Sequence, residues 1–486
     1  MKKTRLSLFF LLMLFTATSC SSNNTDTDLD PKNPVSIDLW HYYTGDNQAT
    51  LEKMVDEFNH SVGASSGVLV NVISKGGVSE LEEALTNSAK GVINSEEMPN
   101  IFSCYLDKLV ELDSYDKVAD LNNYFSEDDI NLYVTDFITS SITSDGRLLS
   151  IPIAKSTEVL YINITSFQKF LDDTGYDINK LKTWDGVYNT SREYYNWVDA
   201  QTPETKWDGE SFLGIDSLAN YIIVGNQQLG TEIINSETNS ILINQDSMKK
   251  IFEIYYKGMS LEYFNAVRAF SSDDVKAKDI LAYVGSTSSA SYFPRAIEIN
   301  NTEEPIELEA MLYPTFNVDE FVAIQQGAGM SIAQSAPAKE EGSAIFLKWL
   351  TDPERNIIFS VDTGYLPVET SAYNSELLSD NLENLKTSDQ MEQNIYNVYS
   401  LATKQIMELG TYSPPPFLGS YNARNILAST LNEVSTLGKE KAINMKAQGY
   451  SEEEIIETLD VDSAFKDWIS KIEAELTKLS IPYVIE

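Results

Sequence analysis

Strands and helices alternate through the first third of this chain, and that alternation limits the fold more than any other feature. Val35-Ser36-Ile37-Asp38-Leu39 alternates apolar and polar residues like a strand, and Leu51, Met54, Val55 and Phe58 then recur at i, i+3, i+4 and i+7 like one helix face. A second strand is predicted over residues 69–73. Gly76-Gly77 breaks the chain before a helix carrying Leu81 and Leu85, and Ile101-Phe102-Ser103 gives a third strand before a helix with Leu106, Leu109 and Val110. Such alternation implies a parallel sheet covered on both faces. Ligands of these sheets sit beyond the carboxyl ends of the strands. The rule marks Trp40-His41-Tyr42-Tyr43-Thr44-Gly45 and Cys104-Tyr105-Leu106-Asp107. With 486 residues the chain exceeds the roughly 250–300 that one core supports, so two lobes are expected.

The N-terminus reads as an export signal. Lys2, Lys3 and Arg5 precede an apolar run over residues 8–15, too short for the roughly 20 residues that span a bilayer. Ala17-Thr18-Ser19-Cys20 resembles a bacterial lipobox, departing from it at Ala17, where a larger aliphatic residue is usual. Cys20 is therefore the expected lipidation site, with residues 1–19 removed as signal peptide. Residues 20–33 are polar and nearly free of aliphatics, a composition that stays unfolded and reads as a tether. The formal net charge of −38 argues against nucleic acid or an anionic membrane surface as partner. Only Cys104 remains besides Cys20, so no intrachain disulfide framework is expected in the mature chain. Its apolar surroundings point to a buried hydrophobe rather than a nucleophile.

Residues 145–163 run from a polar turn into an apolar strand, Pro152, the group Lys155-Ser156-Thr157, and a second strand. The stretch resembles the hinge-crossing strand of extracellular solute-binding proteins that serve sugar-importing ABC transporters, in the branch with maltose-binding and glycerol-3-phosphate-binding proteins. Other anchors follow in the family's order. They are Met98-Pro99-Asn100-Ile101-Phe102, Leu121-Asn122-Asn123-Tyr124-Phe125, Gly285-Ser286-Thr287, Gln326-Gly327-Ala328-Gly329-Met330, Thr351-Asp352-Pro353 and Gly364-Tyr365-Leu366-Pro367-Val368. The resemblance implies an α/β, two-lobed periplasmic-binding-protein fold (type II-like) with a hinge crossed by two or three segments. The first lobe would comprise residues 34–152 plus 313–370, and the second 153–312 plus 371–486.

The resemblance also implies a function. A monomeric, extracytoplasmic receptor, lipid-anchored to the bacterial cell membrane, would capture a carbohydrate in the cleft and present it to permease subunits, without cofactor or metal and without turnover. Carried over position by position, the ligand contacts would be Ser156 with Lys155 and Thr157 beside it, Ser286 and Thr287, the Gly327 backbone, Tyr365 and Asp216. Trp40, Tyr42 and Tyr105 would form first-lobe walls. Trp184 is expected to pack at a helix start, and Gly285 to permit a tight turn. Residues 374–411 and a capping box at Ser451 are expected to elaborate the second lobe.

Glycerol-3-phosphate or another polyol phosphate is the alternative ligand, but phosphate recognition favours arginine. Relatives carry one before a Leu-Gly-Asn-aromatic segment, where this chain has Phe417 ahead of Leu418-Gly419-Ser420-Tyr421. Lys155, Arg295 or Arg424 would have to serve, so an uncharged saccharide is favoured. No His-x-x-x-His, Cys-x-x-Cys, Gly-x-Ser-x-Gly or phosphate-loop motif occurs. The enzyme rival is an exported glycosidase, which needs only two carboxylates about 5–10 Å apart. A peptide or adhesion lipoprotein is the other rival.

Overall fold

The protein is described by a computed structural model covering residues 29–486 apart from residues 144, 236, 300, 301 and 328. The expected signal peptide, Cys20 and most of the tether lie outside the described residues.

The first sheet has the order Val68–Ser74, Val35–His41, Ile101–Cys104, Gly329–Ile332, Ile151–Pro152. Its first three strands are parallel, as the alternation predicts. Gly329–Ile332 runs antiparallel to both neighbours. That reversal is invisible in the early repeat because the strand arrives late, from the other lobe. Ile37, Leu39 and Ile101 face one core, and Trp40, Phe102 and Cys104 face another, so both faces are covered. The helix Gly45–His60 buries Leu51, Met54, Val55 and Phe58, the stripe read from the sequence.

The second sheet has the order Leu308–Leu312, Glu158–Asn163, Ala282–Ser286, Leu213–Ile215. Leu160, Ile162, Ala282 and Val284 face the larger second-lobe core, and Val159, Tyr161 and Tyr283 the opposite side. Trp184 is fully buried at the start of the Trp184–Asp199 helix, edge-on to Tyr221 at 4.7 Å and Tyr313 at 5.7 Å between centroids. It packs as expected. The Ser451 capping box is also present, and its helix packs on this lobe through Ile455 and Leu459.

Three segments meet where the chain passes between sheets. Lys155 pairs with Leu366 and Ser156 with Gln326, and the chain then enters the Glu158–Asn163 strand. Two boundaries differ from the sequence reading. Tyr313, Ala323 and Ile324 pack in the second-lobe core, so the return crossing falls after Ile324, where Gln326 pairs with Ser156, rather than at Tyr313. Trp184 and Tyr221 hold Tyr313 and Phe316 on that side. The helices Glu376–Thr387 and Gln390–Lys404 do not elaborate the second lobe alone. Leu378, Tyr399 and Ala402 join the first-lobe core, whereas Ile395 and Val398 cover the second sheet.

A wide π-type turn at Gln405–Leu409 ends this bridging helix. There the Gln405 side chain donates to the Glu158 carbonyl at 2.9 Å and the Thr157 hydroxyl at 3.3 Å, and accepts from the Tyr313 amide at 2.8 Å. One buried amide thus ties together the outgoing strand, the start of the return segment and the bridging helix. Each bond it makes would otherwise leave a buried backbone or hydroxyl group unpaired.

Candidate functional site

Between the lobes lies a cleft of about 600 Å³. Tyr105, Lys155, Asp216 and Gly327, four of the residues singled out by sequence, line it. Tyr105 directly follows the Ile101–Cys104 strand, as the rule for parallel sheets requires. Its ring stacks on Tyr42 at 6.2 Å between centroids, and Tyr42 leads through Tyr43 to Tyr365, so three predicted aromatics form one cluster behind the wall. Burial raises the pKa of these phenols, which stay neutral.

Ser156, Thr157, Ser286 and Thr287 come together at the hinge with their hydrogen-bonding capacity largely spent on one another. The Ser286 hydroxyl donates to Ser156 Oγ at 3.3 Å, and the Thr157 amide donates to Thr287 Oγ1 at 3.3 Å. The Thr287 amide donates to the Thr157 carbonyl at 2.8 Å. None of the four lines the cleft. They brace the crossing from beneath. Trp40 also departs from the expected wall. Its strand runs on to His41, so Trp40 stays inside the sheet, packed among core residues beneath the Lys75 ammonium at 3.7 Å.

Asp216 follows the Leu213–Ile215 strand, accepts from the Ser271 amide at 3.0 Å and is pushed up in pKa by burial. The adjacent Gly285 lies within the Ala282–Ser286 strand, not in a turn. A Cβ there would stand 2.4 Å from the Asp216 carboxylate, so the glycine makes room for that side chain.

Several cleft residues lie outside the set of ligand contacts expected from sequence. Glu82, Asp107, Asn220, Tyr421 and Arg424 all line it. The missed signal is a polar stripe at helical spacing, Ser420, Tyr421, Arg424 and Asn425, on the Ser420–Ala447 helix. Phe417, which stands in the family's arginine position, is buried in the core, and Arg424 reaches the cleft from the helix behind it. A polar relay joins the floor to the rim. Buried Glu158 accepts from Asn220 at 2.7 Å and Gln326 at 3.1 Å, and the Asn220 carbonyl oxygen accepts from Arg424 at 2.8 Å. Arg424 then meets Asp107 of the other lobe at 3.3 Å.

That ion pair holds the lobes together across the cleft, beside the Lys108 ammonium 4.9 Å over the Tyr421 ring. Partly exposed pairs contribute about 1 kcal/mol or less. Asp107→Asn is accordingly expected to shift the unliganded protein toward an open form by about that amount. Small-angle X-ray scattering should register a larger radius of gyration, and an unchanged radius would show that the pair does not hold the lobes.

Two buried acceptors in the cleft wall, Glu82 Oε2 and Gln325 Oε1, have no hydrogen-bond partner among the described residues. Burial raises the Glu82 carboxyl to about 7. No group of His, Cys, Asp and Glu among the described residues is arranged to hold a metal ion.

The bacterial extracellular solute-binding proteins, as a family, match residues 53–387. The chain belongs to that family. Solved structures share its fold across nearly its whole length. The cyclic α-maltosyl-1,6-maltose binding protein of Arthrobacter globiformis is 17% identical with a TM-score of 0.64, covering 92% of this chain and 100% of its own. UgpB of Mycobacterium tuberculosis, solved with glycerophosphocholine, gives 17%, 0.66, 92% and 100%. An ABC substrate-binding protein of Listeria monocytogenes, solved with cycloalternan, gives 13%, 0.66, 92% and 100%. No curated protein sequence matches. These are binding proteins of one two-lobed α/β architecture, and family membership places this solute-binding protein outside the cytoplasm.

Proposed function

We propose that this solute-binding protein captures a sugar or oligosaccharide in the interlobe cleft and delivers it to an ABC transporter permease, turning nothing over. The observation that carries the reading is the pair of unpartnered buried acceptors, Glu82 Oε2 and Gln325 Oε1, in a cleft walled by Tyr105 and Tyr421. Buried acceptors without donors are costly, and sugar hydroxyls supply donors. Aromatic rings in turn cover the apolar faces of sugar rings. The structural relatives, one named as a cyclic α-maltosyl-1,6-maltose binding protein and one solved with cycloalternan, support the same class.

A glycosidase needs an acid and a nucleophile or base that are free to act. Of the three cleft carboxylates among the described residues, Asp107 is paired with Arg424 and Asp216 is held by Ser271 beneath Gly285, which leaves Glu82 without the second free carboxylate that the reaction needs. Incubation with an oligosaccharide panel separates the readings. Thermal stabilisation by at least one glycan with no new products on chromatography is expected, and released products would overturn the proposal. The proposal includes anchoring through Cys20. Membrane fractionation should find the wild type with the membrane and a Cys20→Ser variant in the soluble fraction; equal partition would remove the anchor.

A further inference from the structure

Lys155 stands apart among the cations of this chain. It is only 4% exposed, yet it lines the cleft from the crossing segment, whose backbone is fixed by Leu366 and Gln326. Its ammonium lies over the Phe137 ring, 5.8 Å from the centroid. No carboxylate among the described residues offsets its charge, and burial alone acts on it, lowering its pKa to about 8. It is still charged at neutral pH.

The contrast with other buried cations is direct. Lys446 meets Glu262 at 3.0 Å, and Lys108 meets Glu111 at 2.7 Å. Arg424, the second cation in the cleft, meets Asp107. Arg295, the third cation considered from sequence, pairs with Asp389 and lies outside the cleft lining. The chain has 73 acidic residues to draw on, so Lys155 does not lack a partner for want of carboxylates. A buried charge with no counter-charge is unfavourable unless a counter-ion arrives.

The cleft acids leave room for one. Asp107 is neutralised by Arg424, Asp216 is bound to the Ser271 amide, and burial raises the Glu82 carboxyl to about 7, which disfavours its charge. We infer that the cleft takes an anionic carbohydrate, whose carboxylate, sulfate or phosphate group seats on the Lys155 ammonium while its hydroxyls reach Glu82 and Gln325. The inference rests on the receptor reading and replaces the uncharged saccharide expected from sequence. It makes Lys155 the residue that sets specificity, because a neutral ligand leaves its charge buried and unpaired.

Calorimetry with matched pairs tests it. The pairs are trigalacturonate and galactotriose, a sulfated disaccharide and its desulfated form, and glycerol 3-phosphate and glycerol, with inorganic phosphate and sulfate as free-anion probes. At least one acidic member should bind tenfold or more tightly than its neutral counterpart and than the free anions. Lys155→Gln should abolish that preference, so that the acidic and neutral members of each pair bind alike. Lys155→Met should raise the melting temperature of the unliganded protein, showing that the variants fold. Neutral members binding as tightly as acidic ones, or Lys155→Gln weakening both alike, overturns the inference and leaves the receptor reading standing. Binding of the free anions alone overturns the carbohydrate part of the inference. Absence of binding across a broad neutral and acidic panel overturns both.

Discussion

Gly327→Ala is expected to lower the unfolding free energy by about 2–6 kcal/mol, one of the largest effects of any single substitution near the cleft. Gly327 has φ of +100°, a region that L-residues enter at a cost of about 1–3 kcal/mol. A Cβ there would also stand 2.3 Å from the Ala154 carbonyl oxygen and 3.0 Å from the Lys155 Cα. Both obstacles are backbone, so neither can swing aside, and relief of such overpacking costs about 1–3 kcal/mol more. The two crossing segments would have to part at the point where Ser156 and Gln326 pair. Urea unfolding should show the loss, and calorimetry should show weakened ligand binding in the surviving folded protein. Wild-type stability in this variant would mean that the crossings are not packed as described.

Stability should also fall as pH rises from about 5 to 8, with Glu158 as a principal cause. Its carboxyl is buried in the crossing strand and is pushed up by burial from its ordinary 4.5 to about 7. Below pH 4.5 folded and unfolded states both hold the proton, and no penalty exists. Between 4.5 and 7 the unfolded chain releases it and the folded one does not, so stability declines by about 3 kcal/mol in all. Glu82 and Glu369, each raised to about 7, act in the same direction. His41 acts oppositely: burial lowers it to about 4, so its contribution is lost as pH falls from 6.5 toward 4. Glu158→Gln keeps an oxygen for Asn220 and Gln326 and removes the titration. Unfolding at pH 8 should then require about 2–3 kcal/mol more than in the wild type, with little change at pH 5. Equal slopes for both proteins between pH 5 and 8 would contradict the assignment.

The legible parts of this fold were those set by local periodicity. The stripe Leu51, Met54, Val55, Phe58 and the Ser451 capping box each follow from spacing within a dozen residues. The cleft was legible where it sits at strand ends or on the crossing, as for Tyr105, Asp216, Lys155 and Gly327. Trp40 failed because a period of two fixes which residues share a face but not where the strand stops, and two further strand residues carried it into the core. The hydroxyls of Ser156 and Ser286 failed differently. They meet at the crossing, where the Ser286 hydroxyl bonds Ser156 and Ser288, and neither lines the cleft. The pairing of Arg424 with Asp107 was not legible because it depends on lobe closure between segments more than three hundred positions apart, which no local pattern encodes.

The central claim is that the interlobe cleft is the ligand site. Its most direct test is a calorimetric titration of the strongest-binding glycan into the wild type and into a Tyr105→Ala variant. The wild type should bind one glycan per chain, and truncating the wall at Tyr105 should weaken binding at least tenfold, about 1.4 kcal/mol, without unfolding either lobe. Equal affinity in the two proteins would place the ligand elsewhere and contradict the account.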